Sequence, residues 1–213
     1  HRTFLAKSRL DVGVEDVLAG RGLASARTGR GVLVGVIDTG LDLTHPAFLG
    51  EDGQSRVVAV WDQDAAGQKG PRGFDYGMLC DAEAIADGRC QIRDPLGHGT
   101  HVAGIAAGSE SLGGLAPNAD IAVVRSEAFT QLADAIDYLV GLADQRNQAL
   151  VINISVGGHY GAHDGRTPLE RFVQSKVGPG VIIVAAAGND GSSRIHLGHD
   201  FEQGQERRVR LAS

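Results

Sequence analysis

Short apolar runs rich in valine and isoleucine occur along the chain, separated by longer segments in which apolar residues recur at helical spacing. Within the runs, apolar and polar residues do not alternate, which is typical of parallel strands that are covered on both faces. The runs predict five strands, at Val32–Ile37, Val57–Trp61, Ile121–Val124, Leu150–Val156 and Val181–Ala186.

Helices are predicted between these strands. An apolar stripe predicts a helix over Gln131–Asp144. A second helix is predicted at Pro168–Val177, because Thr167 precedes it as an N-cap and Gly178 follows it as a stop signal. Gly99–Ala107 consists of small and apolar residues and is predicted to be a buried helix. The alternation of strands and helices predicts a layered α/β fold.

Two segments lack such patterns. Asp62–Asp94 is polar and turn-rich, and we interpret it as a long surface insertion with a short helix at Ala82–Ala86. The same segment holds Cys80 and Cys90, and the sequence leaves open whether these form a local disulfide or remain free thiols. Arg207–Leu211 alternates charged and apolar residues like a half-exposed strand.

Composition and charge argue against two classes of binding partner, nucleic acids and membranes. The chain has a net charge of -6 and no long basic run, which argues against binding to nucleic acid. No apolar run reaches the roughly 18–20 residues of a membrane-spanning helix. We therefore expect neither nucleic acid nor a membrane as a partner.

Three motifs place polar side chains where apolar segments begin or end. Val34–Gly40 puts Asp38 at the end of a strand, where ligands gather in open α/β sheets. Gly97–Gly104 puts His98, whose imidazole is suited to act as a base near neutral pH, just ahead of a helix. Asn189 follows a buried run at a glycine turn, where an amide can stabilise a developing oxyanion. Each residue alone also fits a structural role in a turn or a core.

Together and in this order, the motifs closely resemble the subtilase family of serine endopeptidases over roughly residues 28–191. The resemblance implies a three-layer subtilisin-like fold with a mainly parallel central sheet and helices on both faces, truncated before the serine-bearing helix. It implies that Asp38 orients His98 and that His98 takes a proton from a serine. Asn189 matches the donor that stabilises the tetrahedral intermediate. The implied reaction is hydrolysis of peptide bonds.

The resemblance also implies a cleft for a peptide or protein substrate. One matching segment pairs with the substrate backbone, and another forms a wall of the pocket for the residue before the scissile bond. The substrate-binding residues implied by the match are Ser155, Val156, Gly157, Gly158, Ala186, Ala187 and Gly188. The family normally has a glycine-bearing loop at one edge of this cleft. Here Arg125–Thr130 leads almost directly into the next helix, so this loop is short or a segment is absent.

The nucleophile of the family has no counterpart in the sequence. In the family it lies in a Gly-Thr-Ser motif after the oxyanion asparagine, and no such motif follows Asn189. We expect residues 1–213 to be a single, incomplete catalytic domain that is inactive alone and whose partner is the remaining C-terminal part. The alternative is a pseudoprotease that acts as a binding or regulatory module. An aspartic peptidase ranks last, because the Asp-Thr-Gly at Asp38 has no second copy in the sequence.

No metal or other cofactor is expected. Many subtilases hold calcium with an aspartate after a His-Pro pair, where this chain has Ala47. Calcium needs six to eight oxygen ligands, so we expect this site to be absent. Histidine pairs at helical spacing lack the context of a zinc site, and we interpret them as structural or solvent-facing. These pairs are His98 and His101, His159 and His163, and His196 and His199.

A narrower resemblance concerns Ser55–Asp62, Gly73–Tyr76 and the approach from Asp94 to His98. These stretches resemble bacterial subtilases related to the clostridial spore-germination proteases. That subgroup carries an extra β domain after the oxyanion asparagine, and residues 194–213 would be its start. The resemblance implies a bacterial protein in a secreted or extracytoplasmic location.

Overall fold

A six-stranded sheet forms the centre of the computed structural model, which describes residues 4–66, 69–126, 131–155, 157–158, 161 and 163–192. The strands are β1 Val32–Asp38, β2 Val57–Asp62, β3 Met78–Asp81, β4 Asp120–Arg125, β5 Ala149–Ile154 and β6 Val181–Ala185. Their order is β3-β2-β4-β1-β5-β6, and every pair is parallel except β2 with β3. The predicted α/β fold with a mainly parallel sheet is confirmed.

Six α-helices accompany the sheet in the described part of the chain. They are α1 Phe4–Asp11, α2 Val14–Leu18, α3 Ala82–Ala86, α4 His98–Ala107, α5 Leu132–Arg146 and α6 Pro168–Lys176, with short 3₁₀ turns at Pro46–Phe48 and Glu110–Leu112. The four helices predicted from the sequence are present. Helix α6 begins with a capping box in which Thr167 and Glu170 bond each other's backbone N–H. Helices α1 and α2 were not predicted, because they have only eight and five residues, too few to show a helical period in the sequence.

The apolar side chains of the strands divide between two cores, one on each face of the sheet. On one face Val34 and Val36 of β1 join Ala103 and Ala107 of α4. On the other face Leu33 and Ile37 of β1 join a core that also holds five residues of α5: Leu132, Ala135, Ile136, Leu139 and Ala143. Because both faces are covered, successive residues along a strand are all apolar, which explains the runs in the sequence.

A close contact fixes α5 on the sheet. A Cβ atom added to Gly35 in β1 would lie 2.9 Å from Cδ1 of Leu139. The helix therefore packs directly against the backbone of the central strand. This packing fixes where the first turn of α5 lies, at the carboxyl ends of the parallel strands.

Part of the segment predicted as a surface insertion belongs to the sheet. Strand β3 pairs antiparallel with β2, and Cys80 and Cys90 form a disulfide across 5.6 Å between their Cα atoms. Both cysteines and Ile92 are buried. The segment at 62–94 thus contributes an edge strand and core side chains as well as surface. The strand has only four residues, too few to show periodicity in the sequence.

Two further predictions remain. One concerns the last residues of the sequence, and the other concerns membrane-spanning helices. The strand predicted at Arg207–Leu211 and the segment 194–213 lie outside the described residues. Within the described residues, no helix combines the length and the apolar character needed to cross a bilayer.

The disulfide is expected to stabilise the fold measurably. Replacing both cysteines, Cys80→Ala with Cys90→Ala, removes a cross-link that closes a short loop and restricts the unfolded chain. We expect the free energy of unfolding to fall by about 2–3 kcal/mol in urea denaturation. A reductant should destabilise the unmodified protein by a similar amount and leave the double variant unchanged. Equal unfolding midpoints for the two proteins would contradict the prediction.

Candidate active site

Asp38 is the last residue of β1, and its side chain has no solvent exposure. Its Oδ1 accepts a hydrogen bond from the backbone N–H of Thr39 at 2.8 Å. No donor within the described residues reaches Oδ2. A carboxylate without solvent depends on such donors to remain charged, so each of its partners matters for the state of the group.

His98 is the first residue of α4 and the second partner of that carboxylate. Its Nδ1 lies 2.7 Å from Oδ1 of Asp38, while its side chain is 53% exposed. Because a carboxylate accepts, Nδ1 carries the proton of a neutral imidazole. Nε2 then keeps its lone pair and can accept a proton. A buried acceptor behind a half-exposed imidazole is the arrangement that general-base catalysis needs.

The first turn of α4 is capped by side chains from outside the helix. Its N-cap residue, Gly97, has a φ of 69° and offers no side chain. The N–H of Gly99 instead donates to Oγ1 of Thr39 at 3.0 Å, and the N–H of Thr100 donates to Oδ2 of Asp94 at 2.8 Å. These bonds satisfy backbone donors that have no partner within a helix.

Asp94 accepts three further hydrogen bonds. Oδ1 accepts from the Thr39 hydroxyl at 2.8 Å and from the Gly97 N–H at 3.0 Å, and Oδ2 accepts from the Thr100 hydroxyl at 2.7 Å. Burial alone would raise the pKa of Asp94, but the bonds from Thr100, Thr39 and Gly97 outweigh it and hold this pKa below its ordinary value. The charged carboxylate also lies at the positive end of the helix dipole.

Two glycines allow α4 to lie directly on the loop after Asp38. A Cβ on Gly99 would lie 2.3 Å from the carbonyl oxygen of Gly40 and 3.2 Å from Cβ of Asp38. A Cβ on Gly40 would lie 2.4 Å from the carbonyl oxygen of Arg93. A side chain at position 99 would separate the helix from the loop and thus His98 from Asp38, and one at position 40 would push the loop away from the segment that leads into the helix.

A cleft of about 900 Å³ lies in front of His98. Its lining includes seven residues predicted from the sequence as substrate-binding or oxyanion-binding: Ser155, Gly157, Gly158, Ala186, Ala187, Gly188 and Asn189. The structure therefore brings these predicted residues together with the imidazole. Asp38 is buried away from the cleft, and Val156 lies outside the described residues.

Parallel strand ends deliver these residues to one edge of the sheet. Beyond the end of β5, the N–H of Ser155 donates to the carbonyl of Ile37 in β1. Beyond the end of β6, the N–H of Ala186 donates to the carbonyl of Ile154 in β5. Because β1, β5 and β6 are parallel, their carboxyl ends meet at the same edge, which is where α/β sheets bind ligands.

Sequence reasoning missed several residues that line the same cleft. Four are apolar, two are acidic and one is a histidine: Leu132, Leu169, Val173, Ile183, Glu170, Asp190 and His163. Hydrogen bonds from the side chain and the backbone N–H of Thr167 lower the pKa of Glu170. Most of the missed residues come from α5 and α6, and only the packing of these helices on the sheet shows which of their side chains reach the cleft.

The polar side chains that follow Asp38 are engaged in local hydrogen bonds. Oδ1 of Asp42 accepts from both the N–H and the hydroxyl of Thr44, which lowers the pKa of Asp42. Nδ1 of His45 accepts from the N–H of Ala47, which offers no side-chain oxygen of its own. Among the described residues, no group of three or more histidine, cysteine or acidic side chains is arranged to hold a metal. His159, His196 and His199 lie outside those residues.

Comparison with known proteins points to one family. The sequence model of the Subtilase family matches residues 29–208. A thermophilic serine proteinase of Bacillus sp. (strain AK1) is 35% identical over 167 residues, which cover 75% of this chain and 33% of that protein. Thermitase of Thermoactinomyces vulgaris is 33% identical over 175 residues, covering 78% of this chain and 50% of that protein. The chain thus spans between a third and a half of these relatives.

Solved structures give the same picture. The CspB protease of Clostridium perfringens superposes with a TM-score of 0.72 at 30% identity, covering 88% of this chain and 41% of that one. Sphericase superposes with a TM-score of 0.54 at 27% identity, covering 84% of this chain and 53% of that one. The three-layer fold described above is therefore that of subtilisin-like proteases.

The contact between α4 and the loop can be tested with two glycines of the same helix. Gly99→Ala inserts a methyl group against the backbone of Gly40, and we expect a loss of about 1–3 kcal/mol in the free energy of unfolding. Gly104→Ala is the matched control, because nothing lies within 4 Å of its added Cβ. Alanine has the higher helix propensity, so this control should gain about 0.5–1 kcal/mol. Equal stabilities of the two variants in urea denaturation would disprove the contact.

The hydrogen bonds to Asp94 predict a pH effect. Because folding lowers the pKa of Asp94, its stabilising contribution is complete above the ordinary aspartate value of 3.8 and is lost as pH falls through the lower folded value. Asp94→Asn should cost about 1–2 kcal/mol at pH 7 and flatten the decline in stability below pH 4. Asp52→Asn, in an exposed turn, should change stability by less than about 0.5 kcal/mol. Parallel pH profiles of wild type and Asp94→Asn in urea denaturation would refute this assignment.

Proposed function

Because the chain belongs to the subtilase family, we propose that it supplies the aspartate, histidine and oxyanion donor of a serine endopeptidase whose nucleophilic serine lies outside this chain. The observation that carries the proposal is the 2.7 Å hydrogen bond from the half-exposed imidazole of His98 to the buried carboxylate of Asp38. It joins a proton acceptor at the edge of a cleft to a buried carboxylate behind it.

The proposed chemistry is acyl transfer. Nε2 of His98 accepts the proton of the serine hydroxyl as the serine oxygen attacks the peptide carbonyl, and the imidazolium then donates this proton to the leaving amine. Asp38 stabilises the imidazolium and keeps Nδ1 protonated in the neutral state. The side-chain amide of Asn189 donates to the oxygen that becomes negative in the tetrahedral intermediate. A water molecule then repeats the sequence and releases the acid product.

The proposed substrate is a peptide segment in extended conformation. It would pair with the backbone of Ser155–Gly158 as an added strand, with a side chain directed toward Ala186–Gly188. The apolar side chains of Leu132, Leu169 and Val173 in the same cleft support the binding of a peptide side chain there. We propose that calcium is not bound near Asp42, because Ala47 offers no side-chain oxygen where many subtilases have an aspartate.

Two observations bear on location and assembly. The disulfide between Cys80 and Cys90 is of a kind that persists in oxidising compartments, which supports an extracytoplasmic location. The named relatives are bacterial proteins, and this chain covers only part of each. We propose that its functional partner is the C-terminal part of the same protease, which would complete the active site with the serine.

The proposal is tested with the complete protein that contains this chain, assayed on an unstructured protein substrate. His98→Ala and Asp38→Asn should each remove nearly all hydrolysis, because the general base is lost or held in the wrong tautomer. Asn189→Ala should lower kcat by about 10²–10³, which is the cost of one such donor in subtilisin, with little change in KM. The present chain alone should not react with a serine-directed phosphonate.

His101→Ala serves as the matched control, since this histidine is exposed on the same helix as His98. It should leave kcat within about twofold of wild type, as expected for a surface substitution. Labelling of the present chain by the phosphonate would place the nucleophile within it. A folded complete protein that binds peptides but hydrolyses none would instead favour the pseudoprotease.

A further inference from the structure

The hydroxyl groups of Thr39 and Thr100 each take part in two hydrogen bonds. Oγ1 of Thr39 accepts from the N–H of Gly99 at 3.0 Å and donates to Asp94 at 2.8 Å. Oγ1 of Thr100 accepts from the N–H of Asp42 at 2.9 Å and donates to Asp94 at 2.7 Å. A hydroxyl has a single proton, so both protons are committed to the carboxylate of Asp94.

Asp94 therefore fixes the orientation of the two hydroxyl groups that link the loop at 38–42 to helix α4. With their protons directed at Asp94, both threonine oxygens present lone pairs to a backbone N–H. Thr39 of the loop accepts from Gly99 of the helix, and Thr100 of the helix accepts from Asp42 of the loop. The helix thus donates one hydrogen bond to the loop and the loop donates one to the helix. The carboxylate of Asp94 accepts from both hydroxyl groups that make these links.

These links lie beside the two residues of the proposed base. Thr39 follows Asp38 in the chain and also donates its own N–H to Oδ1 of Asp38 at 2.8 Å. Gly99 and Thr100 follow His98 directly. A shift of Thr39 relative to the first turn of α4 would therefore change the distance between Asp38 and His98.

We propose that Asp94 is a positioning residue that acts through Thr39 and Thr100 to set the hydrogen bond between Asp38 and His98. It thereby selects the imidazole tautomer that carries its proton on Nδ1. The consequence for catalysis rests on the function proposed above, whereas the hydrogen bond and the tautomer are properties of this chain.

The proposal predicts different effects for substitutions of similar size near Asp94. In Asp94→Asn an amide NH₂ replaces one carboxylate oxygen and cannot accept the hydroxyl and backbone N–H bonds which that oxygen receives, so one threonine hydroxyl loses its acceptor. Thr39→Val removes one hydroxyl without changing any charge, and Thr39→Ser keeps it. Asp42→Asn is the matched control, because the Asp42 carboxylate accepts two bonds from Thr44 but takes no part in the links through Asp94.

The test measures the two ring nitrogens of His98 by long-range ¹H–¹⁵N NMR on this chain, at an alkaline pH where histidine is neutral. In wild type we expect the Nδ1–H tautomer to dominate. In Asp94→Asn and Thr39→Val the ratio of the Nδ1–H to the Nε2–H tautomer should fall about fivefold, as expected for the loss of about one hydrogen bond. Thr39→Ser and Asp42→Asn should keep the wild-type ratio, and His101 provides an internal reference.

An unchanged ratio in folded Asp94→Asn and Thr39→Val would overturn the proposal and leave Asp94 as a helix cap only. If Asp94→Asn does not fold, Thr39→Val and its Thr39→Ser partner decide the question alone. The measurement needs no peptide cleavage. Failure of the complete protein to hydrolyse peptides would therefore count against the proposed function, while the tautomer ratio would still confirm or refute the role of Asp94.

Discussion

The structure around the site depends on one constraint, a carboxylate that has no contact with solvent. Asp38 must receive hydrogen bonds from its surroundings, and the donors that reach it in the described part of the chain are the Thr39 N–H and Nδ1 of His98. Helix α4 must then begin close to the end of β1. This position requires glycine at 40 and 99, where any Cβ would collide with backbone. It also requires capping groups from outside the helix, which Thr39 and Asp94 provide.

The sheet was predictable because its chemistry is local. Valine and isoleucine runs such as those of β1 and β4 have no polar positions, since each strand is covered on both faces, and this pattern is visible in the sequence alone. Strand β3 is different. It is short, it lies at the edge, and its place depends on pairing with β2 and on a disulfide to Cys90. Neither the pairing with β2 nor the state of the two cysteines can be derived from the apolar pattern of these four residues.

Some residues of the site could also be predicted from local sequence, whereas others depend on tertiary packing. Asp38, His98 and Asn189 lie in short motifs, so their place at strand and helix ends could be predicted. The bond between Thr39 and Asp94 joins residues 55 positions apart, and neither residue type indicates it. The lining of the cleft by Leu132 and Leu169 follows from how α5 and α6 pack on the sheet. Such residues are found only once the packing of the helices is known.

The disulfide has a consequence for the exposed segment that it encloses. Helix α3 and the turn after it form an exposed stretch, residues 81–89, with intermediate exposure only at Ala84 and Ile85. Both ends of this stretch are anchored by buried half-cystines. A single cut anywhere within it would leave the two new ends covalently joined through sulfur. The nicked molecule would keep β3 on the sheet and keep the segment that leads to Asp94 and His98 in place, so this exposed stretch can be cleaved without releasing a fragment.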